Sequence, residues 1–388
     1  MENKERSSAK ASGAGLMIYL DNAATTKPCP AALAALLKTA TEDYGNASSG
    51  HRLGRAARVS VENSRKAVAA ALGALSPNAI IFTSGGTEAN NFALTAAANY
   101  NGKRVGKHIV STMVEHDSVR NTVAQLAERG FDVSYIQPGR DGAISPDAVA
   151  EAIRPDTALV SVMTVCNETG NVYDTAAIAK LVKAANPKTL MHTDAVQAFR
   201  KVKFSLDGID FATVSAHKIG GVKGVGAVYI RPGLQNSLKP IIFGGSQEAG
   251  LRPGTENVTG IASFGASCTI DNGQLIIDNY LRDLLLSGLP SVGGIVLGTP
   301  SAPHIVAFAI PGIPGEVLAN FLDNNGICIS KGAACKRGKR SHVWSALGLP
   351  NTLADSAVRV SFSGDNSESD VTKLLKKLKE ASEVLCRR

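Results

Sequence analysis

AIIFTSGGTEANNFALTAAA, residues 79–98, holds the pattern that decides the fold of this chain. Residues 79–83, rich in Ile and Phe, have the length and composition of a buried strand. Gly85 and Gly86 interrupt the run, and residues 87–98, rich in Ala with Leu94 among them, have the composition and spacing of a helix. Strand, glycine turn and helix in this order form the first half of a βαβ unit. Free N–H groups at a helix start, with the helix dipole behind them, suit an anion. The segment is equally compatible with a plain Thr87 cap.

Working outward, the alternation continues. Short apolar runs at 108–112, 133–137, 157–164, 189–193, 211–215 and 226–230 alternate with helical patterns at 117–129, 146–152 and 175–185. Upstream, the apolar stub 18–20 runs into Asp21-Asn22-Ala23-Ala24-Thr25-Thr26, followed by helical patterns at 30–41 and 54–72. This predicts an α/β chain with a mostly parallel sheet flanked by helices, and ligands in loops at the carboxyl ends of its strands. Beyond about residue 260 the pattern changes to helices at 275–286, 315–325 and 369–385 and strands at 292–297, 304–310, 327–330 and 357–362. We expect a disordered extension over 1–16, a large domain over 17–260 and a smaller α+β C-terminal domain over 261–388.

Composition narrows the function classes. The chain has 388 residues, 44% hydrophobic and 19% charged, as in a soluble globular protein. Its formal charge of +8 comes without the aromatic-basic interleaving of a nucleic-acid binder, so it reads as a basic surface for anionic ligands or acidic partners. No apolar run is long enough to span a bilayer, and residues 1–16 lack the apolar stretch of a signal peptide. Six scattered cysteines, without a C-x-x-C pair or metal-ligand spacing, point to reduced thiols and a cytoplasmic location.

Six polar features follow apolar runs. Lys218, in Ser215-Ala216-His217-Lys218 with glycines behind it, reads as a surface lysine in a turn or as a lysine that forms Schiff bases with a carbonyl cofactor. Asp194, in His192-Thr193-Asp194-Ala195-Val196-Gln197, reads as a helix N-cap or as the carboxylate that keeps a pyridinium nitrogen protonated, with Gln197 near the ring oxygen. Residues 83–90 are the anion-site candidate quoted above. His116, after the run 108–112, reads as a solvated loop histidine or as a stacking, proton-exchanging one. Cys335 lies among small residues and five cations, Lys331, Lys336, Arg337, Lys339 and Arg340, which favour thiolate; an incidental cysteine in a basic loop is the alternative. Arg359, inside an apolar strand, needs an anion, either a structural carboxylate or that of a substrate. Cys166, Cys268 and Cys328 read as packing residues.

In order and spacing, these features resemble the cysteine desulfurases, a branch of the fold type I pyridoxal-phosphate enzymes grouped with class V aminotransferases. The likeness runs from about residue 18 to 385 and is most specific at 20–26, 83–91, 167–170, 192–197, 215–226, 244–257 and 332–335. It implies pyridoxal 5'-phosphate as cofactor, L-cysteine as substrate and L-alanine as product, with sulfur carried as a persulfide on Cys335 to an acceptor protein of iron–sulfur or thiolation pathways. It also implies Lys218 as the Schiff-base lysine, Asp194 at the ring nitrogen, Gln197 and Asn167 on the ring-oxygen side, and His116 on the ring face as acid or base. Gly86, Thr87, Ser215 and His217 would hold the phosphate, and Thr255 would reach the phosphate of a second copy in a homodimer. Asn22 and Arg359 would hold the substrate carboxylate. The chain departs from the family at Lys331-Gly332-Ala333-Ala334-Cys335, where Ser-Gly-Ser-Ala-Cys is frequent, and at Ser246, where a third glycine is common. A selenocysteine lyase, a class V aminotransferase and a non-catalytic sulfur carrier are the competing readings. No metal, nucleic-acid or membrane partner is expected.

Overall fold

The computed structural model describes residues 17–269, 279–331 and 340–385. The chain enters through β1 (Ile18–Tyr19), α1 (Pro30–Thr41) and α2 (Arg52–Leu72). There follow β2 (Ile80–Thr83), α3 (Gly86–Asn101), β3 (His108–Thr112), α4 (Asp117–Glu128), β4 (Asp132–Ile136), α5 (Pro146–Glu151), β5 (Thr157–Ser161), α6 (Thr175–Ala185), β6 (Leu190–Asp194), β7 (Phe211–Ser215) and β8 (Gly226–Ile230). Strands β2 to β8 form one sheet in the order β2-β8-β7-β6-β5-β3-β4. β8 runs antiparallel to both of its neighbours, and the other pairs are parallel. From β3 the chain steps outward to β4, then returns to β5 and continues through β6 to β7. That reversal opens a crevice at the carboxyl ends of β3 and β5.

Alternation along the strands divides the apolar side chains between two faces. Ile81, Ile109, Leu159 and Phe211 join Phe92 of α3 and Val119 and Val123 of α4 in one core. Phe82, Val110, Val160 and Ala212 join Val61 and Val68 of α2 and Ile178 and Val182 of α6 in the other. Helices thus cover both faces of the sheet, which is why its strands are apolar on both sides.

The rest of the chain supplies α7 (Val258–Thr269), α8 (Asn279–Gly288), β9 (Ile295–Val296), β10 (Ile305–Ala309), α9 (Gly315–Asp323), β11 (Ile327–Cys328), β12 (Ser330–Lys331), α10 (His342–Ala346), α11 (Asn351–Asp355), β13 (Ala357–Ser361) and α12 (Glu368–Leu385). β12-β13-β10-β9 form an antiparallel sheet. Val306 and Phe308 of β10, Val358 and Val360 of β13, and Leu374 and Leu378 of α12 make a third core.

The elements do not separate at residue 260. β1 pairs in parallel with β11, and Ile18 and Leu20 belong to the C-terminal core. Conversely, Phe264 of α7 packs between Phe82 and Phe199 in the main core. A two-residue strand is stable only on a partner strand, and that partner lies more than 300 positions away. The expected strand over 327–330 divides into β11 and β12, which join different sheets. Residues 1–16, residues 275–278 of the expected helix over 275–286, and Cys335 lie outside the described residues. No helix among the described residues is long and apolar enough to cross a membrane.

Candidate active site

A cavity of about 410 Å³ lies in the crevice, and Gly86, Thr87, His116, Asn167, Asp194, Gln197, Ser215, His217, Lys218 and Arg359 all line it. These residues come from the carboxyl-end loops of the main sheet and, for Arg359, from β13.

β7 ends at Ser215, and a single 3-10 turn, Ala216–Lys218, brings His217 and Lys218 into the cavity wall. Lys218 Nζ donates to the carbonyls of Ala23 (2.6 Å) and Ala24 (2.7 Å). Thr26 locks the same turn: its hydroxyl donates to His217 O at 2.9 Å and accepts from Gly220 N at 2.8 Å. His217 Nδ1 lies 3.2 Å from Thr25 Oγ1. Burial, reinforced by Lys218, Lys223 and Lys201, pulls the His217 pKa down to about 4, so its ring is neutral at pH 7.

At one end of the cavity, α3 begins at Gly86 with no side-chain cap. The plain Thr87 cap is therefore excluded, and the first N–H groups of a 16-residue helix have no capping side chain. A Cβ on Gly86 would stand 3.0 Å from Val196 Cγ2, so glycine keeps this approach open. Ser215 Oγ is buried without a protein partner. Helix start, hydroxyls and an orphaned Ser215 together fit a phosphate group.

Asp194 closes β6 in the wall of the same cavity. Its Oδ1 accepts from Val196 N at 3.0 Å and its Oδ2 from Asn90 Nδ2 at 2.7 Å. No helix follows Asp194, so its carboxylate caps a turn rather than a helix, and it also lines the cavity. Gln197 donates from Nε2 to Ala23 O at 2.9 Å, sharing that carbonyl with Lys218. Arg359 likewise serves two purposes. Its Nη2 pairs with Asp21 at 3.0 Å and its Nη1 donates to Asn167 O at 2.7 Å, while its buried Nε has no protein partner. An unpaired guanidinium N–H facing this region fits a carboxylate.

Two expected residues, Asn22 and Thr255, are not brought into the cavity. Asn22 is buried, and its Nδ2 donates to Tyr19 O (3.2 Å), Ser361 O (3.0 Å) and Asn366 Oδ1 (3.2 Å). Its donors are consumed in fastening the 21–26 turn to β13, so it holds the neighbours of the cavity rather than a ligand. Thr255 lines a second cavity of about 290 Å³ with Phe82, Arg252 and Asn257. Cys335 lies outside the described residues, but both ends of its loop are visible. Lys331 pairs with Glu316 at 2.8 Å and Arg340 with Asp355 at 2.6 Å, so two of the five cations are neutralised at the loop ends.

Glu115 and His342 in the cavity wall, and Lys201 behind Gln197, carried little signal in the sequence. Glu115 is fully buried, with Oε1 accepting from Thr112 Oγ1 and Met163 N, both at 2.9 Å. Burial, with Asp194 nearby, pushes its carboxyl up to about 8. Lys201, four residues beyond Gln197, places Nζ 3.5 Å from Gln197 Oε1; burial, with Lys218 and Arg359, lowers it to about 7. His342 donates from Nε2 to Glu115 O at 2.9 Å. The spacing of Gln197 and Lys201 was the one available hint, since positions four apart meet on a helical turn. Cys166 and Cys268 are buried, and burial raises the Cys268 thiol to about 12, in keeping with packing roles.

The aminotransferase class-V family model matches residues 18–374. A cysteine desulfurase of Bradyrhizobium diazoefficiens is 39% identical over 366 residues, 91% of each chain. Among solved structures, a NifS-like protein is 35% identical with a TM-score of 0.88, covering 95% of this chain and 100% of the other. SspA, in a structure described as a complex with cysteine, is 30% identical with a TM-score of 0.79 over 89% of this chain and 98% of that one. Identity above one third over nine-tenths of both chains accompanies the same fold and the same sheet-end crevice, and this chain belongs to the cysteine desulfurase family of class-V aminotransferases.

Proposed function

We propose that the chain is a pyridoxal-phosphate-dependent cysteine desulfurase that converts L-cysteine to L-alanine and passes the sulfur through Cys335 to an acceptor protein. One observation carries this reading: the Lys218 amine and the Asp194 carboxylate line one cavity, between an uncapped helix start and a partly unpaired arginine. Pyridoxal phosphate, when bound, supplies the electron sink that weakens bonds at the substrate Cα.

The chain's own residues do the rest. Ser215, Thr87, His217 and the N–H groups at the start of α3 hold the phosphate. Asp194 holds a proton on the ring nitrogen, with Asn90 and the Val196 N–H fixing both carboxylate oxygens. His116, Gln197 and Asn167 line the same cavity and would contact the cofactor ring. Lys218 holds the cofactor through its amine and moves the Cα proton; the Ala23 and Ala24 carbonyls fix the position of that amine. Arg359 binds the cysteine carboxylate through Nε. The Cys335 thiolate attacks the substrate sulfur; an S–S bond forms, the C–S bond breaks, and its electron pair stays on carbon and is protonated on the way to alanine. Lys336, Arg337 and Lys339 favour the thiolate.

Thr255 reaches the cofactor of a second copy, and the exposed Ile242 and Phe243 just before its loop support a homodimer interface there. The free thiols Cys29, Cys166, Cys268 and Cys328 support a cytoplasmic location.

The test is to supply pure protein with pyridoxal phosphate and L-cysteine, then measure alanine and the mass of Cys335. Alanine and a persulfide on Cys335 are expected. Lys218→Ala should remove the yellow absorbance, and Cys335→Ser should keep the colour and lose both products. Colourless wild-type protein, or full turnover by Cys335→Ser, refutes the reading. Selenocysteine run in parallel identifies the preferred substrate.

A further inference from the structure

Four side chains from α3, α4 and β6 make an unbroken hydrogen-bonded run along the cavity wall. Asn90 stands at its centre and is 1% exposed. Its Nδ2 donates to Asp194 Oδ2 at 2.7 Å and to Ser118 Oγ at 2.8 Å. An amide nitrogen has two hydrogens, and both are used here. A flipped amide would set Oδ1 against the carboxylate, so its partners fix its orientation. The sacrifice is visible: Asn90 Oδ1 is buried with no partner. Such an orphan is tolerated where the two donors are indispensable.

Ser118 Oγ, having accepted from Asn90, keeps its own hydrogen for the 2.7 Å contact with His116 Nδ1. The Ser118 backbone N–H points at the same nitrogen from 3.1 Å. A backbone N–H only donates, so Nδ1 accepts and the ring proton sits on Nε2. Every hydrogen in the run therefore points one way from Asn90: to the carboxylate on one side, and through Ser118 to the imidazole on the other.

We infer that Asn90 is a positioning residue that holds the Ser118 hydroxyl as a donor to His116 Nδ1, keeps His116 in its Nε2–H form, and ties that form to the Asp194 carboxylate. The functional value of the device rests on the proposed reading of His116 and Asp194 as cofactor contacts; the hydrogen-bond polarity does not. Nε2 is then the nitrogen that meets a ligand, and it arrives as a donor. Asn90→Asp replaces the central donor by an acceptor without changing shape. The Ser118 hydroxyl then turns toward residue 90, and the backbone N–H is left as the donor that still faces Nδ1, so the hold on the Nε2–H form weakens.

The test is nitrogen-15 NMR of imidazole-labelled full-length protein, with and without pyridoxal phosphate. Wild type should show His116 protonated at Nε2 with Nδ1 as acceptor. Asn90→Asp should weaken the hydrogen bonding at Nδ1 and move its resonance further from the protonated position. Ser118→Ala removes the hydroxyl while leaving the backbone donor, and should weaken the Nδ1 shift without reversing it. With cysteine as substrate, Asn90→Asp should lower kcat about tenfold or more while KM changes less than about twofold. A wild-type ring protonated at Nδ1, or an Asn90→Asp spectrum that matches wild type, overturns the inference. Failure of the enzyme reading shows separately, as protein that never turns yellow while its His116 resonances behave as expected.

Discussion

Glu115 offers the sharpest test of how this cavity is built. Its carboxyl has no exposure and is pushed up to about 8 from an ordinary 4.5 by burial, which outweighs the hydrogen bonds from Met163 N and Thr112, with a smaller push from the Asp194 carboxylate. The folded state therefore holds a proton that the unfolded state releases between those two values. Stability conferred by this proton is fully present below pH 4.5 and is lost as pH rises through about 8. The slope is ~1.4 kcal/mol per pH unit in that window, which amounts to about 4 kcal/mol between about pH 5 and pH 9. Glu115→Gln keeps the acceptor for Thr112 and the Met163 N–H and is neutral at every pH, so it removes the dependence without emptying the space. The assay is urea denaturation of cofactor-free wild type and variant across that range; the difference between them isolates Glu115 from other titrating groups. Wild type should lose stability relative to the variant as pH rises, and its infrared spectrum should carry a protonated carboxyl band near pH 7 that the variant lacks. Parallel pH profiles together with the absence of that band would refute the reasoning.

The remaining predictions concern packing and the second buried ionisable group. Lys201 is lowered to about 7 from 10.5, so the unfolded state binds the extra proton between those values and stability rises with pH across that window. Lys201→Met should therefore be more stable than wild type by up to about 5 kcal/mol at pH 7 and below, with the gap closing by pH 10.5, read from denaturation midpoints. Phe264 sits edge-on to Phe82 and Phe199 at centroid distances of 6.4 and 6.2 Å, and Phe264→Ala should cost about 3–5 kcal/mol in the same assay. Gly170 has φ +77° and a built Cβ only 2.5 Å from Ile305 O, so Gly170→Ala should lower stability by about 2 kcal/mol or more in thermal unfolding.

Much of the main sheet was legible because its segments carry their own signal. β3, β7 and β8 and helices α1 and α6 have the expected bounds, since a short buried run with an apolar centre or a three-turn amphipathic stretch needs no distant partner to be recognised. β1, β11 and β12 were harder, because two-residue strands are defined by what they pair with, and β1 with β11 is a non-local pair. α10 and α11 span five residues each, too few for a helical period to show. In the site, Lys218, Asp194 and the start of α3 stood out because each follows a strand. Glu115, Lys201 and Asn90 did not, because their significance is burial beside another charge, which chain order does not encode. Asn22 is the converse: the family resemblance implied a substrate contact, yet the acceptors within reach of its amide belong to Tyr19, Ser361 and Asn366.

The turn from Asp21 to Thr26 explains how a site assembled from two sheets keeps its geometry. On one side Asp21 pairs with Arg359, and Asn22 and the Ala23 N–H bond to Ser361, all on β13. On the other, the Ala23 carbonyl accepts from both Gln197 and Lys218, and Thr26 bonds to the His217 carbonyl and the Gly220 N–H of the main-sheet loop. Six residues thus fasten the guanidinium on β13 to the amine after β7. The electrostatics follow from the same arrangement. Lys201, Lys218 and Arg359 interact on the Gln197 side, whereas Glu115 and Asp194 interact on the other. Burial neutralises Glu115 at pH 7 and draws Lys201 to the edge of neutrality, so the fixed polarity is carried by Arg359 at one end and Asp194 at the other. A ligand that is anionic at one end and cationic at the other has one favourable orientation in such a field. A displacement of β13 relative to β7 passes through the 21–26 turn, so Arg359 and Lys218 cannot move independently.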